Sequence, residues 1–371
     1  MNPWRIIVMA ALKRTRHGSI EFVEGDRVTE VGETGTQYRC RVTINSPKVW
    51  RQLLRGSTGL AHAYSEGYWD CDEMLTLTQI AGFNVDRFDR LKSRFAFAIR
   101  PAQRLTRMRP DNKRSRAREQ IAAHYDLGND MFELFLDSSM NYSSAVYQES
   151  GQSLEEAQVN KMNRICDRLQ LGPDDHLLEI GTGWGGLAVH LAKRSGCRIT
   201  TTTISAEQAA LARQRIESAG LSGSIEVLEV DYRDLTGTYD KLVSIEMIEA
   251  VGWKYFPTYF AKCSELLKPD GAMLLQSITV VDEAYEIEKT SRNFTNSIIF
   301  PGGCLPSRAE IERCLDRYTD MDEIWAEDIG ADYADTLAEW RRRFVENEAS
   351  IIEFGYDLKF RRMWQLYLTW A

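Results

Sequence analysis

The stretch Glu179-Ile180-Gly181-Thr182-Gly183-Trp184-Gly185-Gly186 constrains this chain more than any other. An apolar run, His176-Leu177-Leu178-Glu179-Ile180, feeds it, and a helical pattern of Leu187, Val189, Leu191 and Ala192 follows. A backbone that leaves a buried strand, bends this sharply and enters a helix needs residues without a Cβ. The same residues let main-chain N–H groups come within contact distance of a ligand. The turn is therefore expected to be a nucleotide-type binding loop.

Gly181, Gly183 and Gly186 also satisfy the G-x-G-x-x-G spacing of dinucleotide sites. Such a site wants an acid for the ribose about 20 residues further on, and Thr200-Thr201-Thr202-Thr203-Ile204-Ser205 stands there instead. Two other acids are better placed: Glu179, just before the first glycine, and Asp231, after the apolar run Ile225 to Val230. Glu179 is expected near the methionine portion of S-adenosylmethionine (SAM), and Asp231 is expected to accept a hydrogen bond from the adenine amino group. Either acid alone reads as a strand-end cap or a turn residue. Together, and in this order, they point to a SAM methyltransferase.

From Ile165 onward, strand and helix patterns alternate. Strands are predicted at 176–180, 198–203, 225–230, 241–246 and 272–279, with helices beginning near Leu187, Ala206, Pro257 and Ser307. This predicts an α/β, Rossmann-like, doubly wound and mostly parallel sheet, with ligands at the carboxyl ends of its strands. Upstream, Ser19 to Glu24 and Tyr38 to Ile44 alternate as strands, and 47–54 and 60–64 read as helices, giving a small N-terminal α+β domain over 1–86. Residues 119–371 form the expected catalytic domain, in which the helical patterns at 335–353 and 357–368 are too apolar on one face to lie free.

Net charge is −8 over 371 residues, yet residues 87–118 hold twelve Lys or Arg against Asp89 and Asp111. Phe88, Phe95, Phe97 and Ile99 interleave. Such a stretch suits an anionic membrane surface, or a solvated linker. Nucleic acid would also suit the charge, but no recognition signature accompanies it, and no nucleic-acid partner is expected. No apolar run approaches a membrane span, and no secretion signal is read in Ile6 to Leu12, so a cytoplasmic, peripherally membrane-associated protein is expected. The seven cysteines are widely spaced, without zinc or disulfide patterning, and read as small core residues.

Five further motifs occur in order: Ala123-His124-Tyr125-Asp126-Leu127-Gly128-Asn129-Asp130, Met140-Asn141-Tyr142-Ser143-Ser144, Thr203-Ile204-Ser205-Ala206-Glu207-Gln208, Glu249-Ala250-Val251-Gly252 and Phe300-Pro301-Gly302-Gly303-Cys304-Leu305-Pro306-Ser307. This succession resembles the cyclopropane-fatty-acyl-phospholipid synthase family, including its mycolic-acid relatives, strongly over residues 119–370 and more loosely over the N-terminal module. The resemblance implies transfer of the SAM methyl group to the cis double bond of an unsaturated phospholipid acyl chain through a carbocation, giving a cyclopropane. The same cation can instead resolve to a methylene branch, and an amine methyltransferase is a further reading. A homodimer is among the assemblies compatible with the resemblance.

The resemblance also implies SAM contacts from Tyr142, Ser143, Gly181, Gly183, Thr203, Ile204, Gln208, Asp231 and Tyr232. In that family a bicarbonate ion takes the departing proton, and the positions matching its ligands are Ser144, Glu249, Gln276, the Ile278 backbone and Tyr333. Two of these depart from the usual pattern: Ser144 replaces a frequent cysteine, and Gln276 a frequent histidine. Both can still hydrogen-bond an oxyanion or its cradle, so the ion is expected to be retained. His124 is expected to be structural. Family members usually continue into a last pair of strands, whereas this sequence stops at Leu368-Thr369-Trp370-Ala371, so either terminal residues are missing or the sheet closes differently.

Overall fold

A computed structural model describes residues 2–84 and 128–371. The basic stretch 87–118 and His124 lie outside them. The described residues fall into two units, each discontinuous in sequence. One joins residues 2–84 to Arg292–Ile299 and Phe344–Ala371, and the other holds residues 128–291 and Phe300–Arg343.

The first unit contains a four-stranded sheet of β1 (Ser19–Glu24), β2 (Arg27–Gly32), β3 (Arg39–Ile44) and β4 (Trp69–Cys71), in the order β2-β1-β3-β4. β1 and β2 form an antiparallel hairpin turning at Gly25, whose φ of 57° suits glycine. The periodic apolar face of the Leu358–Trp370 helix buries Trp364, Tyr367 and Leu368 and packs against the Ser57–Ser65 and Met74–Phe83 helices. Arg362 fastens it there, donating to the carbonyls of Tyr64 (2.6 Å) and Trp69 (2.8 Å) and pairing with Asp70 at 2.7 Å. The final helix is thus covered by residues from the start of the chain, where the sequence reading grouped it with 119–371.

The second unit is built on five parallel strands, β5 (His176–Ile180), β6 (Arg198–Thr202), β7 (Ile225–Leu228), β8 (Tyr239–Ile245) and β9 (Leu267–Gln276), ordered β7-β6-β5-β8-β9. Adjacent residues point to opposite faces, and both faces are apolar, as a sheet covered on two sides requires. Leu178 and Leu242 pack with Phe260 and Cys263 of the Phe256–Leu266 helix. Leu177, Ile199 and Val243 pack on the other side with Met162 and Ile165 of the Leu154–Leu169 helix and with Leu187 and Leu191 of the Gly186–Ser195 helix. This is the expected doubly wound α/β sheet. β9 begins at Leu267 rather than near 272, with a register shift against β8 that accommodates Lys268-Pro269-Asp270-Gly271. That segment reads as a turn in sequence.

Among the described residues no helix is long and apolar enough to cross a membrane, and no group of three or more His, Cys, Asp or Glu is placed to hold a metal ion. None of the seven cysteines forms a disulfide, and six of them are buried.

Candidate active site

The glycine loop leaves β5 and is tied to the end of β6, because the N–H groups of Gly181 and Thr182 both donate to the Thr202 carbonyl at 3.0 Å. Its glycines answer to different neighbours. A Cβ on Gly186 would lie 2.1 Å from the Ser139 carbonyl oxygen, so that residue is held small by the protein itself. A Cβ on Gly183, where φ is 51°, would meet no protein atom within 4 Å. The loop therefore presents bare backbone to open space at Gly183, the cradle that a nucleotide-type ligand needs.

The expected SAM residues line the carboxyl ends of the strands in turn. Glu179 is buried, bonded to the Thr201 hydroxyl, which in turn bonds Thr182 at 2.7 Å, and with no opposing charge its carboxyl is pushed up to about 8 by desolvation. It supports the loop from inside rather than standing open beside it. Thr203 donates to Gln208 at 2.8 Å, and Ser205 caps the helix that carries Gln208, so Gln208 is buried rather than facing solvent. Ile204 is half-buried between them. Asp231 holds Arg233 through both carboxylate oxygens, at 2.8 and 2.6 Å, and its Oδ1 also accepts from the Arg233 N–H at 3.0 Å. The Tyr232 hydroxyl is buried without a hydrogen-bond partner among the described residues, and desolvation pushes its pKa up.

Tyr142 sits in an aromatic group, 5.3 Å from Phe132, 5.2 Å from Trp340 and 6.3 Å from Phe300 between ring centroids. Ser143 receives a 2.6 Å hydrogen bond from Lys161, a fully buried lysine whose pKa is pulled down to about 8 by desolvation, against the attraction of Glu246 and Asp137. The segment is anchored to the Gly330–Glu346 helix, whose Thr336 hydroxyl accepts from Ala145 N at 3.0 Å.

Ser144, Gln276, Glu249 and Ile278 come together around a residue that the sequence reading missed. Glu246 directly follows β8 in a left-handed conformation, φ 49°, which turns its side chain off the strand. Its Oε1 accepts from the Ser144 N–H at 2.8 Å and from Gln276 Nε2 at 2.9 Å, and Gln276 also donates to the Ser144 carbonyl at 3.2 Å. Glu249 lies three residues on. Its Oε1 accepts from Ile278 N at 2.6 Å and from the Ser277 hydroxyl at 3.0 Å, while Oε2 is buried without a partner among the described residues. Desolvation, reinforced by the charge of Glu246, pushes the Glu249 carboxyl up to about 8, and burial raises that of Glu246. Tyr333 stands on the Gly330–Glu346 helix, its ring edge-on to Trp340 at 6.5 Å.

The cradle does not fit a bicarbonate ion. Of the donors matched to that ion, Ser144 N–H and both hydrogens of Gln276 Nε2 are engaged by Glu246 and the Ser144 carbonyl, and Ile278 N–H is engaged by Glu249. Glu246 had one sequence signal, its place at the strand end one helical turn before Glu249. Lys161 had none, since it reads as a polar position on an amphipathic helix.

The mycolic acid cyclopropane synthetase family model matches residues 112–371. The tuberculostearic acid methyltransferase UfaA1 of Mycobacterium tuberculosis is 38% identical over 325 residues, covering 85% of this chain and 75% of that protein. The cyclopropane-fatty-acyl-phospholipid synthase of Escherichia coli is 37% identical over 335 residues, covering 88% and 82%. Among solved structures, the mycolic acid cyclopropane synthase CmaA1 in complex with SAH and CTAB superposes with a TM-score of 0.64 at 28% identity, over 71% of this chain and 92% of that one. The cyclopropane synthase MmaA2 from Mycobacterium tuberculosis does so with a TM-score of 0.63 at 27% identity, over 68% and 91%. With the same ordered motifs on a parallel sheet and a family match running from residue 112 to the last residue, this chain belongs to the mycolic acid cyclopropane synthetase family of SAM-dependent methyltransferases.

Proposed function

We propose that this enzyme transfers the methyl group of SAM to the cis double bond of an unsaturated phospholipid acyl chain, through a carbocation that closes to a cyclopropane. The observation that carries this reading is the pair of buried carboxylates, Glu246 and Glu249, at the carboxyl edge of the sheet, joined through Ser144 to the aromatic group around Tyr142. An alkene is a feeble nucleophile, and its methylation leaves a full positive charge on carbon. A dry site with carboxylates and ring faces stabilises that charge. An amine substrate would need a base for its N–H and no such provision.

Gly181 and Gly183 would hold the cofactor by their backbone, Thr203, Ile204 and Gln208 would flank it, Asp231 and Tyr232 would take the adenine end, and Tyr142 with Ser143 would cover it. Bound there, SAM would supply an electrophilic methyl on a sulfonium. The chain's own part is to exclude water, to set the double bond in line and to hold negative charge beside the forming cation. Residues 87–118 would dock the enzyme on anionic membrane from the cytoplasmic side. The near-equal similarity to a tuberculostearic acid methyltransferase supports a second reading, in which the same cation resolves to a methylene-branched chain.

Expressing the chain in a host fed methyl-labelled methionine, followed by mass spectrometry of its phospholipids, tests the proposal. Acyl chains should gain one labelled carbon at the position of the lost double bond. Label confined to water-soluble amines would overturn it.

A further inference from the structure

We propose that Glu246 is the built-in proton acceptor of this enzyme: its carboxylate occupies the cradle formed by Ser144 N–H and Gln276 Nε2, and the reaction needs no bicarbonate ion. The inference rests on the lipid-methylation reading above and adds the group that completes the reaction.

Three observations converge on it. The cradle is assembled from three distant parts of the chain, Ser144 on the segment after residue 140, Gln276 at the end of β9 and Glu246 just after β8; Ser144 N–H and Gln276 Nε2 both donate to one oxygen of Glu246, and Gln276 also ties to the Ser144 carbonyl. The backbone at Glu246 adopts φ 49°, a conformation unfavourable for a residue with a long side chain, and this turn directs the carboxylate toward Ser144. Glu249 presents a buried oxygen without a partner among the described residues, and Lys161 contributes positive charge to Glu246 from the Leu154–Leu169 helix. Burial and the Glu246 charge raise the Glu249 carboxyl, while the Lys161 charge favours the ionised form of Glu246, the form that can take a proton. A bicarbonate ion would add a further negative charge and compete for donors already in use.

In the reaction, the C–H bond of the newly added methyl breaks, its electron pair closes the third ring bond onto the cationic carbon, and the proton goes to Glu246. If a hydride first shifts from the methyl-bearing carbon to the cationic carbon, the same methyl loses the proton and its electron pair forms the methylene double bond. Either way the acid formed on Glu246 returns its proton to water once product has left.

The test uses the full chain, labelled SAM and vesicles of unsaturated phospholipid, in carbon-dioxide-free buffer with or without added bicarbonate. The parent should turn over at the same rate in both. Glu246→Gln fills the cradle with a neutral isostere and should lose about 100-fold in turnover or more, with or without the ion. Glu246→Gly suits the positive φ, empties the cradle and should be revived at least about tenfold by bicarbonate or formate, a chemical rescue that a structural role would not give. Calorimetry should show unchanged SAM affinity in both variants, which separates loss of chemistry from loss of fold. A parent that labels lipid only when bicarbonate is added would refute the base alone, as would Glu246→Gln turning over at the parent rate. A parent that labels no lipid under either condition would refute the lipid reading itself.

Discussion

Replacing Glu179 by Gln should make the enzyme more stable, and increasingly so as pH rises. Glu179 is 2% exposed and its carboxyl is pushed up from 4.5 to about 8 by burial, with the Thr201 hydroxyl opposing in part. Below the lower value the acid is neutral in the folded and unfolded chain alike. Between the two values only the unfolded chain ionises, so stability falls as pH rises, by about 1.4 kcal/mol per pH unit, and the fall ends above the folded value. From about pH 5.5 to about pH 7.5 the loss from this residue is roughly 3 kcal/mol. Glu246 and Glu249 are shifted the same way, so the parent curve alone would not single out Glu179. The difference between parent and variant does, because the amide keeps the shape and a bond to Thr201 but has no proton to lose. Urea unfolding followed by circular dichroism over a series of pH values measures that difference. Parent and variant curves that run parallel across the window would show that Glu179 is not a buried neutral acid.

Glu249→Gln should lower single-turnover methyl transfer about 100-fold with SAM affinity within about twofold by calorimetry, because the amide cannot take up negative charge beside the forming cation. Gly183→Val should abolish SAM binding and cost only the strain of a side chain at φ 51°, since a Cβ there meets no protein atom within 4 Å. Gly186→Ala should instead melt markedly earlier, the new Cβ falling 2.1 Å from the Ser139 carbonyl oxygen, and a thermal scan distinguishes the two glycines. Binding through residues 87–118 should be strong for anionic vesicles, weaken steeply with salt and vanish for neutral ones. Equal sedimentation with both lipids would reduce that stretch to a linker.

The second unit was legible because its strands are short runs that bury both faces, and Leu177-Leu178 and Leu242-Val243 announce this without any knowledge of neighbours. The glycine loop was legible for the same reason of necessity. β2 was missed because half of it is exposed at the sheet edge and it shows no apolar alternation, and β9 was shortened because Pro269-Asp270-Gly271 looks like the turn before a strand. At the site, Glu249 and Gln276 could be placed by motif. Glu246 could not be read as part of the cradle, because what defines it is a left-handed turn and a partner 102 residues away in sequence. Lys161 becomes meaningful only when its helix is packed against Ser143, which no helical periodicity encodes.

The fastening of the last helix onto the Ser57–Ser65 helix has a consequence for synthesis on the ribosome. Residues 2–84 emerge well before the Leu358–Trp370 helix, yet that helix is the partner that covers their helices and bonds the Tyr64 and Trp69 carbonyls. The five-stranded sheet, whose strands all lie between His176 and Gln276, can assemble while the chain is still being extended. The earlier-made unit must meanwhile keep an apolar helix face uncovered until Arg362 arrives. Residues 2–84 thus finish folding only after the five-stranded sheet that is made later than they are, and chaperone dependence should reside in them.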